Sequence, residues 1–116
     1  MALMTYIALI YGPPAPPDFT LSPDAEKAWM EYVQAGRAAN VYLGGHQLVG
    51  PFSATTVSIR DGKRVLSDGP FAETKEVLGG YCMLNCANLD EALDWAAKCP
   101  AAHGGAKIEV RPVVER

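Results

Sequence analysis

Gly79-Gly80-Tyr81-Cys82-Met83-Leu84-Asn85-Cys86-Ala87 runs directly into Asn88-Leu89-Asp90-Glu91, and this junction decides the fold. The first stretch reads as a β-strand. Asn88 then offers a side-chain oxygen to a helix N-terminus, and Glu91 three residues on completes an Asn-x-x-Glu version of the capping box. The helix it opens must stop before Pro100, which cannot continue one. Lys107 to Val113 alternates, with Ile108 and Val110 on one face and Glu109 and Arg111 on the other. A strand-helix-strand unit therefore closes the chain.

The same unit is written at the start. Thr5 to Tyr11 is nearly continuously apolar, as in a central strand. Gly12-Pro13-Pro14-Ala15-Pro16-Pro17 lacks the backbone donors to extend a sheet and reads as a loop of polyproline character. Ser22 is an N-cap, Pro23 suits the first helical position, and Asp24 and Glu26 complement the helix dipole. The helix runs to about Ala39, with Ala25, Ala28, Trp29, Tyr32, Val33 and Gly36 on one stripe. Trp29 and Tyr32 are expected in the core, a ligand role being the alternative. Val41 to Leu43 begins the next strand, and Gly44-Gly45 allows a backbone approach that a side chain would block. Between the two units, Thr55 to Arg60 and Lys63 to Ser67 flank Asp61-Gly62, a strong hairpin signal.

The order strand, helix, strand, hairpin, strand, helix, strand predicts an α+β domain of split βαβ type, with both helices on one face of an antiparallel sheet. The opposite face has no helix to cover it. A homodimer is the simplest cover for so apolar a chain.

One domain over residues 1–116 is expected from length. At 49% hydrophobic and 20% charged, the chain can bury a core. Thirteen acidic and 10 basic residues give a net charge of −3 with no basic stripe, which argues against nucleic-acid binding. The Met1 to Tyr11 run has no basic leader and falls far short of the ~20 residues that span a bilayer, so a cytoplasmic protein without membrane association is expected. Cys82, Cys86 and Cys99 are odd in number. On a strand Cys82 and Cys86 share a face but lie roughly 13 Å apart, too far to share a metal. They read as small buried hydrophobes, and neither a metal nor a cofactor is expected.

The charged loop Asp68-Gly69-Pro70-Phe71-Ala72-Glu73-Thr74-Lys75-Glu76 has two readings. As structure, Asp68, Gly69 and Pro70 shape a turn and Phe71 fills a gap in the core. As a site, the rigid turn aims Asp68, Glu73 and Lys75 at a cleft beside Phe71. Glu109 and Arg111, about 7 Å apart on one face of a strand, form either an internal ion pair or an anion site, since Arg suits a carboxylate or phosphate. His46, next to Gly44-Gly45, has the titration range for acid/base work, and His103 reads as part of a surface turn. The expected site has Asp68 or His46 moving a proton, and Phe71, Glu73, Lys75, Tyr81, Glu109 and Arg111 holding a small, anionic molecule.

The 68–76 loop, together with Tyr6-Ile7-Ala8-Leu9-Ile10-Tyr11-Gly12, Leu43-Gly44-Gly45, Gly79-Gly80-Tyr81 and Glu109-Val110-Arg111-Pro112, resembles the DGPF branch of the YCII-related family over nearly the whole chain. The resemblance implies a ferredoxin-like fold paired as a dimeric α+β barrel. Other members include lyases that remove chloride from a ring, associated with a His-Asp pair whose histidine sits on the first helix. Pro23 to Ala39 here contains no histidine, so that mechanism does not carry over. Asn85 stands where similar members often have an acid, leaving Asp68 and Glu73 as the carboxylates. The resemblance leaves two functions: a lyase-like or isomerase-like enzyme with its site near the loop and sheet face, or a non-catalytic ligand-binding or regulatory protein accompanying extracytoplasmic-function sigma factors.

Overall fold

The chain alternates two helix-bearing units around a hairpin, as its computed structural model, which describes residues 3–116, makes explicit. Met1 and Ala2, at the head of the apolar opening run, lie outside the described residues. Strand β1 (Met4–Gly12) leads to helix α1 (Pro23–Ala38) and strand β2 (Tyr42–Gln47). Strands β3 (Thr55–Arg60) and β4 (Lys63–Asp68) follow, then β5 (Val77–Cys86), α2 (Leu89–Lys98), the single turn α3 (Pro100–His103) and β6 (Lys107–Pro112).

Four strands form a sheet in the order β2-β5-β1-β6, every neighbouring pair antiparallel. Each helix thus links two strands that share a central neighbour, the ferredoxin-like α+β arrangement.

Both helices start where their caps dictate. The Ser22 hydroxyl accepts from the Ala25 amide at 3.1 Å, and the Asn88 side chain accepts from the Glu91 amide at 2.9 Å. Helix α1 ends at Asn40, whose φ of 60° is the left-handed turn that stops a helix, with the Val41 amide reaching back to the Gly36 carbonyl. Helix α2 stops at Lys98, before Pro100 as expected. Pro100 begins the extra turn α3, in which His103 lies exposed with Nε2 2.8 Å from the Ala97 carbonyl.

The core lies between helices and sheet. Tyr6 and Ala8 of β1 and Cys82, Leu84 and Cys86 of β5 alternate inward against Val41, Ala92 and the two tryptophans. The three cysteines are free and buried. Tyr32 is buried as expected, its hydroxyl donating to the Trp95 carbonyl at 2.9 Å, and its ring edge meets Trp29, Tyr42 and Trp95. The residues that alternate with them along each strand point the other way. Ile7, Leu9, Tyr81 and Met83 therefore occupy the face that carries no helix.

The β3–β4 hairpin forms its own two-stranded sheet. Its turn residues Asp61 and Gly62 have φ of 51° and 75°, the paired positive values that a two-residue hairpin turn needs. The radius of gyration is 16.1 Å, against about 13 Å for a compact chain of this length, and the shortest dimension is only 19 Å. A single helix layer on a sheet, with a projecting hairpin, accounts for both.

Candidate functional site

Strand β1 ends at Gly12 opposite Val77, where β5 begins, and β2 ends close by at Gln47 opposite Gly80. At this end of the sheet the proline-rich connection crosses over the helix side and helps to wall a half-open cavity of about 390 Å³. That volume lies within the range of small-molecule pockets. Its walls come from Ile10 of β1, Trp29 of α1 and Tyr42 of β2, with Phe19 and Leu21 from the connection and Leu48 and Val49 from the segment after β2. No Asp, Glu, Lys or Arg is among the described lining residues.

Two glycines make this enclosure possible. A Cβ on Gly50 would fall 2.4 Å from the Ala15 carbonyl oxygen, so only glycine lets the proline-rich connection close onto the segment after β2. A Cβ on Gly45 would fall 2.4 Å from the Tyr81 carbonyl oxygen and 2.9 Å from the Tyr42 hydroxyl. Gly45 therefore admits the Tyr42 phenol to the cavity wall, while the register slips by one residue between Tyr42 and Gly44.

Two polar groups on this wall, Cys82 and Tyr42, are held neutral by burial. Burial pushes the Cys82 thiol up from its ordinary value of 9.0 to about 12, with the neighbouring Cys99 adding to the effect. Burial, then Cys82, also raises the Tyr42 phenol, with the Arg37 guanidinium 5.7 Å above its ring pulling the other way. At neutral pH both are uncharged hydrogen-bonding groups in a mostly apolar lining that also includes His46, Gln47 and Tyr81.

His46 and Tyr81 sit opposite each other on β2 and β5, on the helix-free face, with His46 Nδ1 3.0 Å from the Tyr81 hydroxyl. Leu9 follows Tyr81 across the sheet and Glu109 follows Leu9. Arg111 lies beside Ile7 on the same face, its Nε 3.7 Å from a Glu109 carboxylate oxygen, and both side chains are largely exposed. The register thus places His46, Tyr81, Glu109 and Arg111 on one sheet surface.

The 68–76 loop is arranged differently. Asp68 closes β4 opposite Thr55, and Gly69, at φ 91°, donates its amide to the Ala54 carbonyl and accepts from the Thr56 hydroxyl. The turn-shaping half of the structural reading is therefore what the backbone does. Phe71 does not fill the core: it is 91% exposed, on a loop that forms no helix or strand. Glu73 and Lys75 are exposed, and among the described residues no side-chain hydrogen bond or ion pair joins Asp68, Glu73 or Lys75 to the sheet. Glu76 alone ties the loop to β6, through an ion pair with Lys107.

The YCII-related domain family matches residues 4–116. This chain belongs to that family. The YCII-related chain is also similar to an uncharacterized protein of Rhizobium meliloti (strain 1021), 40% identical over 91 residues, which cover 78% of this chain and 70% of the relative.

Sequence reasoning reached only part of the cavity of this YCII-related domain: of the expected site residues, His46 and Tyr81 are among those that line it. Trp29 was open to a ligand role only as the alternative to a core one, and Tyr42, Phe19, Leu48 and Val49 carried no signal. Their meeting depends on Ala15 and Gly50, which are far apart in the chain.

Proposed function

We propose that this chain is a small-molecule-binding protein of the DGPF branch, acting as a homodimer, whose ligand site is the cavity under the proline-rich connection. The carrying observation is the cavity itself: about 390 Å³, mostly apolar walls, no Asp, Glu, Lys or Arg among the described lining residues, the neutral Tyr42 hydroxyl at its edge, and His46, Gln47 and Tyr81 as its other polar residues. Transferring a charged group into such a lining costs far more than the cavity returns. The ligand is therefore a neutral, largely apolar molecule with a hydrogen-bonding group directed at Tyr42. The branch assignment rests on Asp68-Gly69-Pro70-Phe71.

A second reading adds catalysis of lyase or isomerase type and an anionic ligand on the helix-free face. The His46–Tyr81 hydrogen bond favours it, since an imidazole and a phenol in contact can pass a proton, with Arg111 holding a carboxylate nearby.

A thermal-shift screen of neutral and anionic aromatic compounds tests both. Under the cavity reading, neutral compounds raise the melting temperature, and Arg111→Ala leaves that response intact. Stabilisation by anionic compounds alone, lost in Arg111→Ala, replaces it with the sheet-face reading. No stabilisation by either class removes both.

A further inference from the structure

We propose that the β3–β4 hairpin is an arm that clasps a second copy of this chain. The proposal rests on the homodimer reading and assigns the hairpin to its interface. Val57 pairs with Leu66 and Ile59 with Arg64, so Val57, Ile59 and Leu66 lie on one face of the ribbon. They are 58%, 69% and 56% exposed, and no residue of β4 is buried. A lone two-stranded hairpin is marginally stable in water, and a continuous aliphatic stripe along it is a surface that a partner covers.

The chain itself supplies the matching surface. Its helix-free sheet face presents Ile7, Leu9 and Met83, so a second copy offers the arm an apolar floor. Charge points the same way. The hairpin tip Arg60-Asp61-Gly62-Lys63-Arg64 is basic on a chain of net charge −3, so the rest of a second copy carries a net negative charge that attracts it. A ribbon of this length reaches about 20 Å. Two-fold pairing would exchange one arm in each direction, burying the same stripe twice.

Sedimentation equilibrium tests this on three full-length proteins: wild type, the triple variant Val57→Ser, Ile59→Ser and Leu66→Ser, and the tip variant Lys63→Glu and Arg64→Glu. The wild type is expected at about twice the 12.4 kDa chain mass at micromolar concentration. The triple variant is expected to dissociate about a hundredfold more readily, and the tip variant more readily at low salt but not at high salt. The stripe touches no core residue, so wild-type circular dichroism is expected in both variants, and the tip variant keeps the test open if the triple variant misfolds. Wild-type and variant dimers of equal strength would overturn the arm and leave the homodimer standing. A monomeric wild type would overturn both, and a monomer that sediments with phosphatidylserine vesicles would give the hairpin to a membrane surface instead.

Discussion

A Cβ placed on Gly45 would stand 2.9 Å from the Tyr42 hydroxyl, so the missing side chain at one position of β2 sets the position of a phenol three residues earlier. Gly45→Ala must push that ring, or the β5 backbone at Tyr81, out of place. The expected result is a melting temperature roughly 5–10 °C lower, as for overpacking of a tight site. Loss of any neutral-ligand response is expected with it. Calorimetry of the variant with and without ligand checks both effects.

The buried thiols make stability depend on alkaline pH. Folding raises Cys82 to about 12 and Cys86 to about 11 from 9.0, in both cases chiefly by burial. Above pH 9 the unfolded chain releases these protons while the folded chain keeps them, which favours unfolding. Stability is therefore fully present below pH 9 and is lost progressively between about pH 9 and pH 12. Urea titrations across that range are expected to show the midpoint falling, with Cys82→Ala and Cys86→Ala flattening the decline. At neutral pH the same burial keeps the thiols from reacting with a disulfide reagent until the protein is denatured.

Leu84 is fully buried toward the end of β5, in the core cluster that Ala92, Trp29 and Trp95 also join. Leu84→Ala is expected to cost about 2–5 kcal/mol, measured by chemical denaturation. Phe71→Ala, at the tip of the charged loop, is expected to change stability by less than about 0.5 kcal/mol. A large loss from Phe71→Ala in the dimer would instead place that ring at an interface.

These contrasts show what the sequence made legible. Local signals were sufficient for the two strand-helix-strand units, because Ser22, Asn88 and Asp61-Gly62 act on neighbours one to three residues away. Alternation separated Ile108 from Glu109 for the same reason. Phe71 was ambiguous, since an exposed aromatic and a core aromatic look alike until the path of the following loop is known. The rest of the cavity was invisible because its closure is a contact between Ala15 and Gly50, and its polar wall depends on a β-bulge at Tyr42 to Gly44. Neither leaves a periodic pattern.

His46 and Tyr81 allow a direct check on the helix-free face. With Nδ1 3.0 Å from the phenol, the neutral imidazole is expected in the Nε2–H form, accepting from the Tyr81 hydroxyl. Nitrogen-15 chemical shifts of His46 report the tautomer, and Tyr81→Phe is expected to remove the bias. A shift pattern unchanged by Tyr81→Phe would mean that the pair does not act as a unit, and the catalytic reading would lose its support.

The most direct test of the cavity as the ligand site uses Trp29, which lines it, against Trp95, which does not. Tryptophan emission is titrated with two naphthalene probes of equal size, one neutral and one a carboxylate, in the wild type, Trp29→Phe and Trp95→Phe. Saturable quenching by the neutral probe, retained in Trp95→Phe and lost in Trp29→Phe, is the expected result. Quenching by the carboxylate probe alone, or a response that survives in Trp29→Phe, would contradict it.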